Sequence, residues 1–398
     1  MQFADRINRI TPSATLEMTA KAAELRNSGI TVYNMSVGEP DFSTPINIQQ
    51  AGIYAIQNGL TKYTPGSGTF DLKKAICQKL KRDNQLHFDI NQIVISSGGK
   101  HSLYNACQAL FEKGDEVIIF TPYWVSFPDF VSVTGAKPVF VKTEDSKQNE
   151  PNFDDLEKKI NKNTKGVIIN SPSNPTGGVW SDEAIKRLLD FLKSYKDIWI
   201  FSDECYEQLT YGKKFKSIAR FDKNNDKIIT FQSCSKTYAM TGWRIGYIAG
   251  NQKLVKAIGK LQGQSTSCPN SIAQHAAIEA LVGNQACVQK MRKIFKERRN
   301  LILSRLLLID KITCEKPNGA FYVFPNFSNY LKSKDENNNI IATSSDLSLY
   351  ILRTTGVVTV AGDSFGAPGY IRFSYATSNE TIKKAILLVS KTIKKLHF

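Results

Sequence analysis

The chain has 398 residues, of which 41% are hydrophobic and 22% charged. That is the balance of a folded protein of two or three structural units, and it excludes wholesale disorder. Lys and Arg number 52 against 36 Asp and Glu, a formal net charge of +16, but the basic residues alternate with acids, as in Glu157-Lys158-Lys159 and Lys296-Glu297-Arg298-Arg299. This pattern describes a Lys-rich solvated surface, so neither a nucleic acid nor a membrane is expected as partner. Apolar runs such as Val117–Phe120 are far shorter than the roughly 20 residues that cross a bilayer. Met1–Asn8 carries Asp5 and Arg6 and no apolar signal-peptide core, so a cytoplasmic location is expected. The seven cysteines are odd in number and show no CxxC pair, which fits reduced thiols. Of the four histidines, at 87, 101, 275 and 397, no two stand at metal-ligand spacing, and no metal site is expected.

From about residue 70 the chain alternates helices and short apolar strands. Periodicity predicts helices over Asp71–Gln85, Lys100–Phe111 and Asp182–Lys193. Strands are predicted at Ile93–Ile95, Val117–Phe120, Val167–Ile169, Ile198–Phe201, Ile228–Phe231 and Ile245–Ala249. Continuous apolar strands separated by helices predict an α/β architecture, a mostly parallel sheet covered on both faces. After about residue 280 the style changes. A long basic helix over Gln285–Leu308 leads to short strands near Ala320–Phe324, Val357–Val360 and Tyr370–Tyr375, and a last helix over Asn379–Lys395. The polar stretch Lys332–Asn339 reads as a surface loop. A large domain over residues 46–284 is expected, with 1–45 and 285–398 forming a smaller α+β domain; no linker marks the boundary.

In parallel α/β sheets, ligands sit beyond the carboxyl ends of the strands. Three successive strand ends carry polar clusters here: Asn170-Ser-Pro-Ser-Asn174-Pro-Thr-Gly177, Ser202-Asp203-Glu204-Cys205-Tyr206, and Ser233-Cys-Ser235-Lys236 with Gly242-Trp-Arg244-Ile-Gly246. Each alone has an ordinary reading: a turn, a helix cap, a solvated lysine. Together they bring an amide, a carboxylate, a phenol, hydroxyls, an amine and a guanidinium to one crevice.

These residues identify a resemblance. The chain resembles the class I pyridoxal-phosphate aminotransferases of fold type I, specifically the group containing bacterial aspartate aminotransferases. The resemblance runs from Pro12-Ser-Ala-Thr15 and Gly38-Glu-Pro-Asp-Phe42 to Arg372-Phe-Ser-Tyr-Ala-Thr377. Ser233-Cys-Ser-Lys236 with Met240-Thr-Gly-Trp-Arg244-Ile-Gly-Tyr is its most specific motif.

The resemblance implies pyridoxal 5'-phosphate as cofactor and a role for each matching residue. Lys236 would hold the cofactor and then act as the base at the substrate Cα. Asp203 would pair with the ring nitrogen, Tyr206 and Asn174 with the ring oxygen, and Trp124 would stack on the ring face. Gly98, Gly99 and Lys100, between a strand and a helix, match the phosphate loop, with Ser233, Ser235 and Arg244 completing the cup. Tyr63 resembles the tyrosine that reaches the neighbouring subunit's phosphate, which implies a homodimer with active sites at the subunit interface. Arg372 would grip the substrate α-carboxylate, aided by the backbone of Gly38 and the amide of Asn174. Lys100 is implied to reach the distal carboxylate of a dicarboxylic substrate.

The expected reaction is amino transfer between L-aspartate and 2-oxoglutarate by a ping-pong mechanism, with amino acids and 2-oxo acids as ligands. An aminotransferase with aromatic, alanine or prephenate specificity stays open. Some relatives place a basic residue before Pro-Ser-Ala-Thr, where this chain has Thr11, which lowers the prephenate option. A C–S lyase or a cyclopropane-carboxylate synthase would share the cofactor residues. The related transcription regulators carry an extra N-terminal DNA-binding domain, for which no room is seen before Pro12. A dehydrogenase is disfavoured, because Gly66-Ser-Gly68 continues as Thr69-Phe70-Asp71 and lacks the third glycine of a dinucleotide fingerprint.

Overall fold

A computed structural model of the chain describes residues 3–11, 14–195, 197–212 and 214–398. Pro12 and Ser13 of the Pro12–Thr15 motif lie outside the described residues. The strands are β1 (Tyr33–Asn34), β2 (Ile93–Ser96), β3 (Glu116–Thr121), β4 (Lys137–Glu144), β5 (Glu150–Pro151), β6 (Thr164–Asn170), β7 (Trp199–Asp203), β8 (Ile228–Ser233), β9 (Gly246–Ala249), β10 (Tyr322–Val323), β11 (Val357–Val358), β12 (Val360–Ala361) and β13 (Ile371–Ser374).

Eight of them form one sheet in the order β2-β9-β8-β7-β6-β3-β4-β5. The expected parallel sheet is there, with two reversals. β9 is antiparallel to both β2 and β8, and β5 is antiparallel to β4. β9 returns directly from the end of β8 through the short segment that carries Lys236 and Arg244, with no crossover helix to make it parallel.

Alternation along the strands assigns the two faces. Ile118, Phe120, Val167, Ile169 and Ile200 enter one core cluster, whereas Val117, Ile119, Ile168, Phe201 and Phe231 enter the opposite one. Both faces are therefore dry, which is why the strands read as unbroken apolar runs. Each fully buried Ile or Val contributes about 2 kcal/mol. Helices Phe70–Lys79, Gly99–Leu110 and Asp182–Leu192 appear where the periodicity places them. Thr69 and Ser181 cap two of them by accepting from Leu72 and Ala184 backbone N–H groups. The first predicted helix ends early and continues as a π-helical turn over Leu80–Asn84.

A third core cluster belongs to the C-terminal part. Helix Ala286–Leu306 packs on helix Asn379–Ile393, and Phe295, Phe321, Phe373 and Val389 lie in their shared interior with Met35. Here β13 is the centre of a small antiparallel sheet, β10-β13-β12, and β1 pairs with β11 in parallel. Helix Ser344–Thr355 starts in a Thr343/Asp346 capping box and stops at Gly356. The Lys332–Asn339 stretch is irregular, as expected, but it is tied down. Lys334 bridges to Ile340 and His397, and Ser333 is buried.

Candidate active site

The register of the sheet builds the site. Asn170 at the end of β6 stands beside Asp203 at the end of β7, and Asp203 stands beside Phe231 near the end of β8. The three polar clusters thus open into one cavity of about 290 Å³ at the carboxyl edge of the sheet. Its lining includes Gly38, Gly99, Lys100, Trp124, Asn174, Asp203, Tyr206, Ser233, Ser235, Lys236, Arg244 and Arg372. These residues are spread over more than 330 positions of chain, and the fold collects them at one point.

One end of the cavity is built to hold an anion. Gly98 is the cap residue of helix Gly99–Leu110, and no side chain caps that end. The helix's first N–H groups, those of Gly99 and Lys100, have no carbonyl within the helix to bind. Gly98 has φ 91°, and a Cβ on it would lie inside the Arg244 guanidinium. Arg244 is itself left-handed, at φ 58°, and its Nη1 donates to the Thr241 carbonyl (2.7 Å). Ser233 closes the other side and accepts from the Ser235 N–H (3.1 Å). Free N–H groups at a helix start, two hydroxyls and a guanidinium suit a phosphate.

Lys236 and Asp203 sit at the middle. Lys236 follows β8 in a one-turn helix, Cys234–Thr237, and its Nζ donates to the Gly38 carbonyl. Burial, foremost, together with repulsion from Arg244 and Arg372, draws its pKa down, against the pull of Cys205 and Glu39. Burial pushes Asp203 up to about 7, although the Cys205 N–H (3.1 Å) and Lys236 favour its ionised form. A buried carboxylate in this condition is suited to a cationic N–H donor.

The far wall is Arg372, on β13, with an exposure of 2%. Nη1 donates to Asn174 Oδ1 (2.8 Å) and Nη2 to the Ser36 carbonyl (2.6 Å). Among the described residues Nε has no partner and no carboxylate pairs with the guanidinium. Its plane lies against the Tyr322 ring (4.6 Å to the centroid) and near Phe365 (5.1 Å). A buried cation with neutral partners and a bare N–H is costly unless an anion arrives. Asn174 gives Arg372 its oxygen, which leaves its NH2 free to donate into the cavity.

Trp124 is held edge-on by Phe127 and Phe130, with ring centroids at 5.4 and 5.8 Å. The Lys100 ammonium stands 5.0 Å from the Trp124 ring centre. The residue as a whole is exposed, yet crowding of the ammonium, then repulsion from Arg244, lowers its pKa, while Asp129 opposes them. Thr11 donates to Asp129 from its N–H (3.1 Å) and its hydroxyl (3.2 Å).

Not every expected residue reaches this cavity. Tyr63 is 90% exposed and belongs to no part of the lining. Other lining residues went unforeseen. Tyr322 bonds its hydroxyl to that of Tyr206 (2.8 Å) and approaches Gly38 so closely that a Cβ there would stand 3.4 Å from its oxygen. Asn170 accepts from the Asn174 N–H (2.8 Å) and donates to the Asp203 carbonyl (3.2 Å). Asn170 was visible as the first polar residue after a strand; for Tyr322, inside an apolar run, spacing offered no signal.

Beneath the cavity lies a buried polar network. Gln232 donates to Glu204 (3.0 Å) and Glu207 (3.2 Å) and accepts from Tyr247 (2.9 Å) and Lys79 (2.7 Å). Lys79 also binds Glu207 directly and Asn84 at 2.9 Å. Ser202 and Ser217 donate to Glu204 at 2.9 and 2.6 Å. These contacts tie the ends of β7 and β8 to helix Phe70–Lys79.

The fold and the site together define an aminotransferase: residues 30–387 match the model of the aminotransferase class I and II family, and the chain belongs to that family. It is 43% identical to a probable aspartate/prephenate aminotransferase of Rhizobium leguminosarum bv. phaseoli, over 96% of each chain. It is 41% identical to the aspartate aminotransferase of Bacillus subtilis, over 99% of this chain and 100% of that one. The crystal structure of the Rhizobium meliloti aspartate aminotransferase superposes with a TM-score of 0.96 at 38% identity, covering 100% of both chains. The Thermus thermophilus aspartate aminotransferase with maleate gives 0.92 at 35% identity, over 98% of this chain and 100% of that one.

Proposed function

We propose that the chain moves the amino group of L-aspartate to 2-oxoglutarate, giving oxaloacetate and L-glutamate in a two-stage cycle, with pyridoxal 5'-phosphate in the strand-end cavity. The observation that carries this reading is Arg372: a buried guanidinium with, among the described residues, a bare Nε and no carboxylate partner, sharing a cavity with a lysine whose pKa burial draws down. The names of the B. subtilis and R. meliloti proteins support aspartate as the donor.

The residues fit this cofactor. The cup at Gly98, Gly99, Lys100, Ser233, Ser235 and Arg244 suits its phosphate, and a carboxyl near pKa 7 beside a ring N–H would gain the charge it lacks. What the cofactor supplies when bound is an electron sink for the charge left at the substrate Cα. The chain's own residues do the rest. Lys236 anchors the cofactor and, once released, takes the proton from the substrate Cα. Asp203 holds the ring N–H, Tyr206 and Asn174 donate to the ring oxygen, and Trp124 fixes the ring plane. Arg372, the Asn174 amide and the Gly38 backbone hold the α-carboxylate. Lys100 takes the distal carboxylate.

We further propose that residues 46–284 and the pair 1–45 and 285–398 act as two units, and that the site is completed by Tyr63 of a second copy in a homodimer. Exposed apolar residues at Ile46, Ile53, Ile56 and Phe70, near Tyr63 in sequence, support that interface. A cytoplasmic location agrees with seven unpaired cysteines. Prephenate, carried in the name of the R. leguminosarum relative, is the second acceptor to assay; Thr11 brings no cation there, so we expect it to be the weaker one.

Lys100→Ala tests the choice of substrate. KM for aspartate should rise on the order of ten-fold more than KM for alanine or phenylalanine, about 1.4 kcal/mol of lost binding. Equal losses on all three would remove Lys100 from the distal carboxylate.

A further inference from the structure

A second cavity, of about 640 Å³, is larger than the one at the strand ends. It is lined by helix Ala286–Leu306, by residues 207–208, 210–212 and 214–215, and by Asp83 and Asn84. Arg292, Lys293 and Lys296 share one face of the helix by their spacing, and Lys214 stands on the opposite wall. Four cations therefore surround one concave space. Among the described residues, none of the four side chains makes a hydrogen bond or an ion pair.

The two acids in the lining do not answer them. Asp83 is gripped by Arg82 through both oxygens, at 2.8 and 3.0 Å. Glu207 is engaged by Lys79 and, at 2.5 Å, by Asn84. Like charges on adjacent turns repel by about 0.2–0.5 kcal/mol per pair. A ligand carrying several negative charges would neutralise most of this cluster. The volume lies in the range of small-molecule sites, roughly 300–1,000 Å³.

We propose that this groove binds a small oligophosphate, with Arg292 and Lys293 and Lys296 on one side of the phosphate chain and Lys214 on the other. Arg292 offers the paired N–H groups that match a phosphate edge, and the lysines act as point charges. About 6 Å of helix separates the Cα atoms of Arg292 and Lys296, a span that successive phosphates can bridge. A single carboxylate or orthophosphate would leave at least two cations unanswered. The site is separate from the strand-end cavity, and the proposal does not rest on what that cavity does.

The test is calorimetric titration of the protein, saturated with pyridoxal phosphate, by inorganic tripolyphosphate and by ATP, each in low salt. Both should bind saturably, once per chain, and more weakly as salt rises. Lys293→Glu/Lys296→Glu should weaken binding at least ten-fold, and Lys214→Glu on the other wall should do so independently. The variants should keep the parent melting temperature to within a few degrees and the parent transamination rate without added ligand. ATP binding tighter than tripolyphosphate would identify a nucleotide as the occupant; equal binding would identify the free oligophosphate. Absence of saturable binding would overturn the proposal. So would binding of undiminished strength in both variants, or loss of binding in Arg244→Ala instead, which would move the anion to the strand-end cup.

Discussion

Arg372 and Asp203 are almost fully buried ionisable side chains, each with too few partners for its charge. That cost is intelligible as preparation for a ligand, because each gains its missing partner only on binding. Asp203 makes the argument measurable in the cofactor-free protein. Its folded pKa, about 7, stands above the ordinary 3.8, so between these values the folded state holds the extra proton. Its contribution to stability is full below about pH 3.8 and is lost as pH rises through about 7. The cofactor-free protein should therefore lose stability between about pH 4 and 7 relative to Asp203→Asn, read as urea midpoints; Glu204, also pushed up to about 7, is common to both and cancels. Parallel pH profiles would show that Asp203 is not desolvated as described. Asp203 was legible in the sequence because it ends a strand in one of three ordered polar clusters, and Arg372 only through the family resemblance, since it lies within a strand. Tyr322 was not, since a tyrosine within Ala320–Phe324 looks like core, and its hydroxyl contact with Tyr206 arises only when two distant segments meet.

Among the elements, the ones read correctly are those whose period the solvent enforces. β2, β3, β6, β7 and β8 are buried on both faces, so their sequences are nearly all apolar. β4 shows no such run because most of its residues, Lys137, Lys142 and Glu144 among them, are exposed or half-buried and only Val141 is buried. β1 and β5, of two residues each, are too short to show a period, whereas β11 and β12 fall where one strand near Val357–Val360 is expected. The reversal of β9 leaves no trace in composition; only the brevity of its connection to β8 accounts for it. The π-helical turn at Leu80–Asn84 likewise had no signal, yet it sets Asn84 against Glu207 and completes the network beneath the site. That network predicts a large effect for a small change. Glu207→Leu strands the Lys79 ammonium and should cost about 3–5 kcal/mol in denaturant unfolding. Lys79→Met/Glu207→Leu should recover most of the loss. Equal stability of the single and double variants would mean that the pair is not the buried contact.

For the whole molecule, the site draws on two cores. Lys236 and Asp203 extend from the large sheet, whereas Arg372 and Tyr322 come from the small one, and the Arg372–Asn174 bond joins them. Substrate held by both would favour closure of one unit on the other. Tyr63 is solvent-exposed and outside the cavity lining of its own chain, and the proposal gives it to the site of a second copy. Mixing Lys236→Ala with Tyr63→Ala tests this. A hybrid dimer keeps one complete site, because each chain supplies what the other lacks, so up to about a quarter of parent activity should return after subunit exchange. Activity equal to the average of the two separate variants would place Tyr63 in its own chain's site or in none.

The proposed transfer of the amino group through Lys236 is isolated by one half of the cycle. Aspartate alone, added to the cofactor-loaded protein without 2-oxoglutarate, should release about one oxaloacetate per chain and no ammonia, since the amino group stays on the enzyme. Lys236→Ala should retain loosely bound cofactor and release oxaloacetate several orders of magnitude more slowly. Continuous release of ammonia from the parent protein, or an unchanged burst from Lys236→Ala, would contradict the account.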